Sequence, residues 1–380
     1  METRTRRAAV VGGSIAGLTA ALLLRDDGWD VDVFERSAVL LEGRGGGIVA
    51  HPVTMRYLVE RAGLAVADVS ASAAWFRYLD SDGRVAHEEP CNWRFTSYDA
   101  LYRPLLERFG RDRYHLGEEC AGLDGGELLL ASGRTVESDL VVFADGINSA
   151  GRNLVAPETE TVFAGYFAWR GTVAHAQLAP TTLEALGNAI SYCVLPDGHA
   201  ISYPIPGNLQ NWLWYWNVAP GSEFDVRPAT SVAPGLVPEG HIAELVVRAQ
   251  TSLPPVLAEV IERTPAPYIQ VIVDIEPERM ASGHACLIGD GAFTARPHIA
   301  VGTAKAAEDA WTLVAALDGA GGDVETALRG WSDRQVALGA AAVARSREAG
   351  ERLQSGRWQV GEPLPYGLYR VGDSTMAGAD

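Results

Sequence analysis

The first forty residues combine two kinds of hydrophobic pattern. Residues 8–11 form a short apolar run typical of a buried strand, and residues 31–35 have the composition of a second strand. Between them, residues 15–27 carry apolar side chains with the period of a helix, after a glycine-rich turn. The pattern therefore predicts a strand–helix–strand unit whose two strands are parallel.

The following segments predict a mixed fold. The elements expected up to residue 144 are a helix over 53–62, a hairpin at Asp82-Gly83, a helix capped by Ser97 that runs towards Gly110, and a buried strand over 140–144. Pro104 lies within the second helix and predicts that this helix is kinked or begins late.

The texture changes over residues 163–218, where aromatic side chains lie on strand-like segments separated by DG, PIPG and PG turns. This predicts an inserted antiparallel sheet. The later elements expected are helices over 241–250 and 256–263, strands over 268–275 and 285–288, and long helices starting near Gly302 and Val324. The segment 351–380, rich in glycine and proline, predicts a surface tail.

Charge and composition exclude several classes of function. The chain of 380 residues has a net charge of −17 and no basic block, so neither nucleic acid nor an anionic membrane is expected as a partner. Lys305 is the only lysine, which limits mechanisms that need a lysine nucleophile or acid. The four cysteines are far apart in sequence, so no metal site and no disulfide framework is expected.

The N-terminus imitates a secretory leader, because arginines precede the mostly apolar run 8–24. Glycines interrupt that run, no small-residue cleavage pattern follows, and a second strand begins at Val31. We therefore expect a cytoplasmic protein.

The segment VVGGSIAGLTAALLLRDDGWDVDVFE, residues 10–35, has the form of a dinucleotide-binding fingerprint. Gly12 permits the tight turn, Gly17 lets the helix pack on the strand, and the helix N-terminus offers free N–H groups to a pyrophosphate. Glu35 would accept hydrogen bonds from a ribose. Ser14 stands where the fingerprint has its middle glycine, so the backbone must still approach the phosphate there.

Two later segments place acidic residues directly after buried strands. DLVVFADGINSAGR ends its strand at Asp145-Gly146, and HACLIGDGAFTARPHIAVGTAKAAEDA ends its strand at Gly289-Asp290. In the second segment, Gly302 precedes a helix whose N-terminus could stabilise negative charge on a ring system. Each segment alone is equally compatible with a structural turn.

In this order and at these separations, the three motifs resemble those of the class A flavoprotein aromatic hydroxylases, which have the para-hydroxybenzoate hydroxylase fold. The segments most similar to members that act on a hydroxypyridine are VFERS, WRFTSYDALY, AGYFAWRG, DGHAISYPIPG, WYWNV and GDGAFTARPHIAVGTAKA. The resemblance runs from about residue 8 to residue 356. It implies an α/β fold, in which a Rossmann-like FAD-binding domain carries an inserted antiparallel-sheet substrate domain and C-terminal helices.

The resemblance also implies a division into domains. The FAD-binding domain would comprise residues 1–72, 96–162 and 277–350, the substrate domain residues 73–95 and 163–276, and the tail residues 351–380.

The implied cofactors are FAD, bound non-covalently, with NADH or NADPH as electron donor and molecular oxygen as co-substrate. The implied FAD-binding residues are Gly12, Ser14, Ile15 and Gly17 at the pyrophosphate, Glu35 and Arg36 at the adenosine, Asp290 at the ribityl or phosphate side, and also Val49, Asp145, Gly289, Gly302 and Thr303. The chain departs from its relatives at Ser97-Tyr98, where many carry an arginine, and at Ala300, where a glycine is usual.

The implied reaction transfers one oxygen atom to an electron-rich aromatic or heteroaromatic ring. Removing a proton from a ring hydroxyl would activate the ring, and histidine, with an unperturbed pKa of about 6.5, is suited to that task near neutral pH. His298, beside the loop residue Pro297, is the first candidate, and His51 is the reserve. The candidates for binding the substrate are Tyr203, Trp214 and Trp216, whereas Trp212 is expected in the core.

Other functions stay open at this stage. The segment WLWYW superficially resembles the tryptophan-rich motif of flavin-dependent halogenases, but Lys305 lies too late in the chain to be the lysine that halogenation requires. An NAD-linked dehydrogenase would not explain the Asp290 motif. A flavin-dependent epoxidase and a catalytically inactive flavin-binding protein are the alternatives, and the sequence is compatible with a homodimer.

Overall fold

Two large β-sheets organise the computed structural model, which describes residues 5–43, 46–219 and 231–372. Gly45 and residues 373–380 of the expected tail lie outside the described residues. The strands are β1 (Arg7–Val11), β2 (Asp30–Glu35), β3 (Gly47–Val49), β4 (Ala71–Leu79), β5 (Val85–Ser97), β6 (Tyr114–Leu116), β7 (Cys120–Asp124), β8 (Glu127–Leu130), β9 (Thr135–Glu137), β10 (Leu140–Phe143), β11 (Thr161–Ala174), β12 (Ala189–Leu195), β13 (Gly198–Ile205), β14 (Leu209–Asn217), β15 (Tyr268–Ile275), β16 (Ala281–Ser282) and β17 (Ala285–Leu287).

Helices cover the first sheet and the outer face of the second. They are α1 (Ile15–Asp26), α2 (Pro52–Glu60), α3 (Val66–Val69), α4 (Tyr98–Phe109), α5 (Ala150–Val155), α6 (Pro180–Leu186), α7 (Glu239–Ser252), α8 (Pro255–Glu262), α9 (Gly302–Gly319) and α10 (Val324–Gln354).

The first sheet has the strand order β16-β17-β10-β1-β2-β6, and all its pairings are parallel except the antiparallel β16–β17 pair. The central strands β1 and β10 are almost entirely apolar, and α1 packs on the sheet beside them. The glycine turn follows β1, Glu35 ends β2, Asp145 follows β10, and Asp290 follows β17. Since these strands are parallel, all four features lie at one edge of the sheet.

The second sheet has the order β15-β11-β14-β13-β12-β4-β5-β3 and is antiparallel except for the β12–β4 pair. Alternation along each strand divides its side chains between two faces. On the outer face, tryptophans pack in one cluster with residues of α7 and α8: Trp169, Trp212, Trp214 and Trp216. The inner face turns towards the carboxyl edge of the first sheet.

The predicted α/β class, with a parallel sheet and an inserted antiparallel one, is confirmed. Of the two alternatives expected for the helix with Pro104, the late start does not occur, because α4 begins at Tyr98 and runs through Pro104. One local expectation is wrong. The C-terminal segment is not a surface tail up to residue 372, because Trp358, Leu364 and Leu368 are buried in the cluster on the inner face of the second sheet.

Candidate active site

A cavity of about 510 Å³ lies between the carboxyl edge of the first sheet and the inner face of the second. The first sheet contributes small and acidic residues to its lining, the connecting loops contribute mainly backbone, and the second sheet contributes aromatic and polar side chains. Among the lining residues are Ser14, Ile15, Gly146, Asp290, Gly47, Val49, Pro297, His298, Ala300, Gly302, Thr303, Phe95, Arg170, Tyr192, His199, Tyr203, Tyr215, Tyr268 and Gln270.

The glycine turn after β1 is built for close backbone approach. Gly12 has a φ of +98°, and a Cβ placed on it would lie 2.4 Å from the carbonyl oxygen of Ala144. A Cβ on Gly17 would lie 1.9 Å from the carbonyl oxygen of Gly12. Both positions therefore require glycine, as the fingerprint predicts.

Ser14 fits the middle position of this turn without strain. It is the N-cap of α1 with a φ of −80°, and its hydroxyl lies 3.0 Å from the hydroxyl of Tyr98. Both residues line the cavity. Tyr98 thus contacts the turn at the position where the relatives' arginine was expected, while Ser97 caps α4.

Glu35 also supports the glycine turn. One carboxylate oxygen accepts a hydrogen bond of 2.9 Å from the Gly13 amide, and the other accepts one of 2.8 Å from the Ser37 amide. A carboxylate has about four acceptor positions, so capacity remains for ribose hydroxyls. Arg36 follows with an exposed side chain.

Asp145 does not line the cavity, although its neighbours Ala144 and Gly146 do. Its carboxylate accepts hydrogen bonds from the Ser149 hydroxyl and the Gly151 amide at the start of α5. The buried Arg152 donates to the carbonyls of Ile147 and Gly291. The second motif therefore holds together the loops that follow β10 and β17, which lie beside the cavity.

In the third motif, the adjacent residues Gly289 and Asp290 have different roles. The buried Gly289, with a φ of +60°, donates its amide to Asp309 of α9, and Asp309 also pairs with Lys305. Asp290 instead opens into the cavity. Desolvation by the surrounding protein raises the pKa of Asp290 to about 6, although Lys305 acts in the opposite direction.

The loop 297–302 brings backbone to the middle of the cavity. Ala300 has a φ of +59°, a conformation that favours the glycine expected at this position. Nε2 of the buried His51 lies 2.8 Å from the Ala300 carbonyl oxygen. His51 does not line the cavity. Its position is that of a support for the loop, which contradicts its reserve role as a base.

His298 lines the cavity with only 5% of its surface exposed. Its Nε2 forms a hydrogen bond of 2.7 Å with the Tyr166 hydroxyl, whereas its buried Nδ1 has no hydrogen-bond partner among the described residues. Burial, with His199 and Arg296 nearby, lowers the pKa of His298 well below 6.5. We therefore do not expect this side chain to titrate near neutral pH.

The residue before Pro297 anchors the same loop. Arg296 forms a buried two-point ion pair with Asp274, which also pairs with Arg347 of α10. Asp274 is 1% exposed, and its charge is matched by the buried Arg296 and the partly exposed Arg347.

The prediction for the tryptophans of β14 is wrong in its face assignment. Trp214 and Trp216 lie on the outer face with Trp212, and the Arg248 guanidinium of α7 lies 4.3 Å from the Trp216 ring centre. Leu213 and Tyr215 of the same strand line the cavity instead. Tyr203, by contrast, lies in the cavity wall as expected.

Comparison with known proteins decides the family. A model described as "FAD binding domain-like" matches residues 163–274, and one for an NAD(P)-binding Rossmann-like domain matches residues 10–81. The chain is 36% identical to 2,6-dihydroxypyridine 3-monooxygenase of Paenarthrobacter nicotinovorans over 99% of both chains. It is 32% identical to 3-amino-4-hydroxybenzoate 2-monooxygenase of Streptomyces cremeus, over 93% of this chain and 89% of the relative.

The structure agrees. That of 2,6-dihydroxypyridine-3-hydroxylase from Arthrobacter nicotinovorans matches with a TM-score of 0.89 and 36% identity, covering 97% of this chain and 98% of the other. This chain belongs to the FAD-dependent aromatic monooxygenases. The resemblance predicted from the motifs is thereby confirmed, and so is the use of FAD, NAD(P)H and molecular oxygen.

The residues present fit FAD. The glycine turn leaves no room for side chains at Gly12 and Gly17, and the adjoining N-terminus of α1 faces the cavity through Ser14. A Cβ on Gly302, at the start of α9, would meet nothing within 4 Å, so this helix N-terminus is open to a flat ring. Within the described ranges, no cluster of metal-ligating residues and no helix suited to crossing a membrane is found.

Several cavity residues were not predicted from the sequence. Arg170, His199, Tyr215 and Gln270 lie on strands of the second sheet, outside the three motifs. One signal was available on β14, because three alternating tryptophans form a face large enough to be a core in its own right. The two predicted helices after this strand could have been assigned to cover that face.

Proposed function

We propose that this enzyme hydroxylates a small ring that already carries hydroxyl groups, with hydroxypyridines as the first class to test. The observation that supports this most is the cavity wall, where polar groups of Arg170, Gln270 and Tyr203 are set among aromatic side chains beside the loops that fit FAD. A relative that matches over 99% of the chain carries dihydroxypyridine in its name.

FAD reduced by NAD(P)H supplies the activation of molecular oxygen, of which one atom enters the ring. The protein's part is to bind, orient and exclude water. In this proposal Ser14, Ile15 and the glycines Gly12 and Gly17 hold the pyrophosphate, Glu35 and Arg36 the adenosine, Asp290 the ribityl chain, and Val49, Gly302 and Thr303 the ring system.

His298 is the proposed acceptor for the proton of a ring hydroxyl. Its Nδ1 is the free nitrogen, while Tyr166 holds Nε2 and so fixes the orientation of the imidazole. Burial keeps this histidine neutral but also makes it a weaker base, so it can accept a proton only from an acidic ring hydroxyl. Pro297 shapes the loop that places it.

The test is substrate-stimulated NAD(P)H oxidation by the FAD-loaded protein, measured over a panel of hydroxypyridines, phenols and hydroxybenzoates. Hydroxylated product formed under labelled dioxygen should carry one labelled oxygen atom. Product without label, or no stimulation by any ring in the panel, would refute the proposal. The homodimer stays a prediction, which light scattering on the purified protein would check.

A further inference from the structure

Arg170 of β11 brings a positive charge into the cavity without a negative partner. Its side chain is mostly buried and lines the cavity. No described carboxylate lies within ion-pair distance of its guanidinium, whereas the buried Arg296, which does not line the cavity, is paired with Asp274. A buried charge without a counter-ion is unfavourable, so this position is disposed to take up an anion.

The neighbours of Arg170 are polar but neutral. Its Nη1 donates 2.7 Å to Oε1 of Gln270 on β15, and its Nη2 donates 2.9 Å to the Gly47 carbonyl of β3. Its Nε is buried and has no hydrogen-bond partner in the part of the chain that the structure describes. A guanidinium has five N–H donors, so these two bonds leave donors for a ligand.

The remaining groups near Arg170 are tyrosines: Tyr203 of β13, Tyr215 of β14 and Tyr268 of β15. Burial raises the pKa of Tyr203 to about 12, against the effect of Arg170, and burial raises that of Tyr215 further. These two phenols are therefore neutral at physiological pH and supply no counter-ion for Arg170.

We infer that Arg170 is the counter-ion for the substrate, and that the ring binds with an ionised oxygen directed at this guanidinium. This rests on the proposed function and narrows it to rings that carry an acidic hydroxyl or a carboxylate. His199 and His298, both neutral, add no positive charge to the same wall. The preference for an anion therefore comes from Arg170.

A purely structural role for Arg170 must be separated from this one, because its Nη2 also holds the Gly47 carbonyl. Asn211 offers a matched control. Its Oδ1 accepts 2.6 Å from the amide of the same Gly47, so Asn211→Ala loosens the same strand end without removing a charge. A loosened strand end should lower the affinity for all ring ligands alike, whereas loss of the counter-ion should lower the affinity for anions only.

The experiment uses FAD-loaded protein titrated without oxygen, with binding followed by the flavin absorbance. The probes are 2,6-dihydroxypyridine, which ionises, and 2,6-diaminopyridine, a neutral analogue of similar shape. Arg170→Met should lower the affinity for the dihydroxy probe by about 10- to 100-fold and leave the affinity for the diamino probe nearly unchanged. Arg170→Lys should retain part of the preference, and Asn211→Ala should affect both probes equally.

Two results would overturn the inference: equal affinity of the wild type for both probes, or equal weakening of both probes by Arg170→Met. Because no NAD(P)H is present, the outcome does not depend on turnover. If the dihydroxy probe stimulates NAD(P)H oxidation but Arg170→Met shows no selectivity, only the anion site is wrong. If no ring in the panel binds or stimulates oxidation, the proposed function itself fails.

Discussion

The carboxylate of Asp290 opens into the cavity at the end of β17, and its pKa is raised to about 6 because the surrounding protein desolvates it. The ionised form is the stronger acceptor for a hydroxyl of the ribityl chain. FAD affinity should therefore fall as the pH is lowered through about 6. Asp290→Asn should lower the affinity for FAD by about 10- to 100-fold at pH 8 and remove this pH dependence.

Flavin fluorescence titrations at several pH values would measure this effect. Asp318→Asn, at the exposed far end of α9, is the control and should leave FAD affinity unchanged. A pH-dependent affinity that survives in Asp290→Asn would assign the titration to another group.

A second prediction at the residue scale concerns His298. His298→Asn should lower product formation by about 100-fold, because the proposed proton acceptor is lost, while FAD still binds. Tyr166→Phe removes only the hydrogen bond to Nε2 and should lower product formation by about tenfold or less. The wild-type pH profile should show no step near 6.5 from this histidine, since burial lowers its pKa.

Product and NAD(P)H are to be quantified together for these variants. NAD(P)H consumption without product should rise in His298→Asn. Unchanged hydroxylation and coupling in that variant would transfer the role to Tyr203 or to solvent.

At the scale of elements, β14 separates a core from a binding surface by simple alternation. Trp214 is 1% exposed within the outer cluster, so Trp214→Ala should lower the free energy of unfolding by about 3–5 kcal/mol. Tyr215→Phe, one residue later, faces the cavity and should change that free energy by less than about 1 kcal/mol. Denaturant unfolding of both variants tests the assignment of faces, and the reverse order of effects would contradict it.

The helix α10 packs closely against Tyr166 and His298 at Gly350. A Cβ there would lie 2.6 Å from the Tyr166 hydroxyl and 2.9 Å from Cδ2 of His298. Gly350→Ala should therefore destabilise the protein by about 1–3 kcal/mol and displace His298. Gly330→Ala in the same helix meets its nearest atom at 3.7 Å and should instead stabilise by about 0.5–1 kcal/mol. Thermal unfolding and product formation are the measurements, and equal behaviour of the two variants would refute the argument.

At the scale of the whole molecule, the sequence predicted the fold more fully than the site. Local sequence patterns predict the order of strand, turn and helix around Gly12, Asp145 and Asp290. Because the strands are parallel, these turns all lie at one edge of the first sheet. The face that β14 turns to the cavity depends on helices α7 and α8, which follow later in the chain. The contact between His51 and Ala300 likewise joins residues 249 positions apart, and no local pattern announces it.

The single lysine has a practical consequence for chemical labelling. Lys305 is 3% exposed and is held by Asp309 beneath the turn that carries Asp290. Apart from the α-amino group, the chain offers no other primary amine. An amine-reactive dye should therefore label the folded protein at its N-terminus alone, and incorporation at Lys305 should report the opening of α9. Saturating FAD should slow that incorporation, which peptide mapping by mass spectrometry would follow over time.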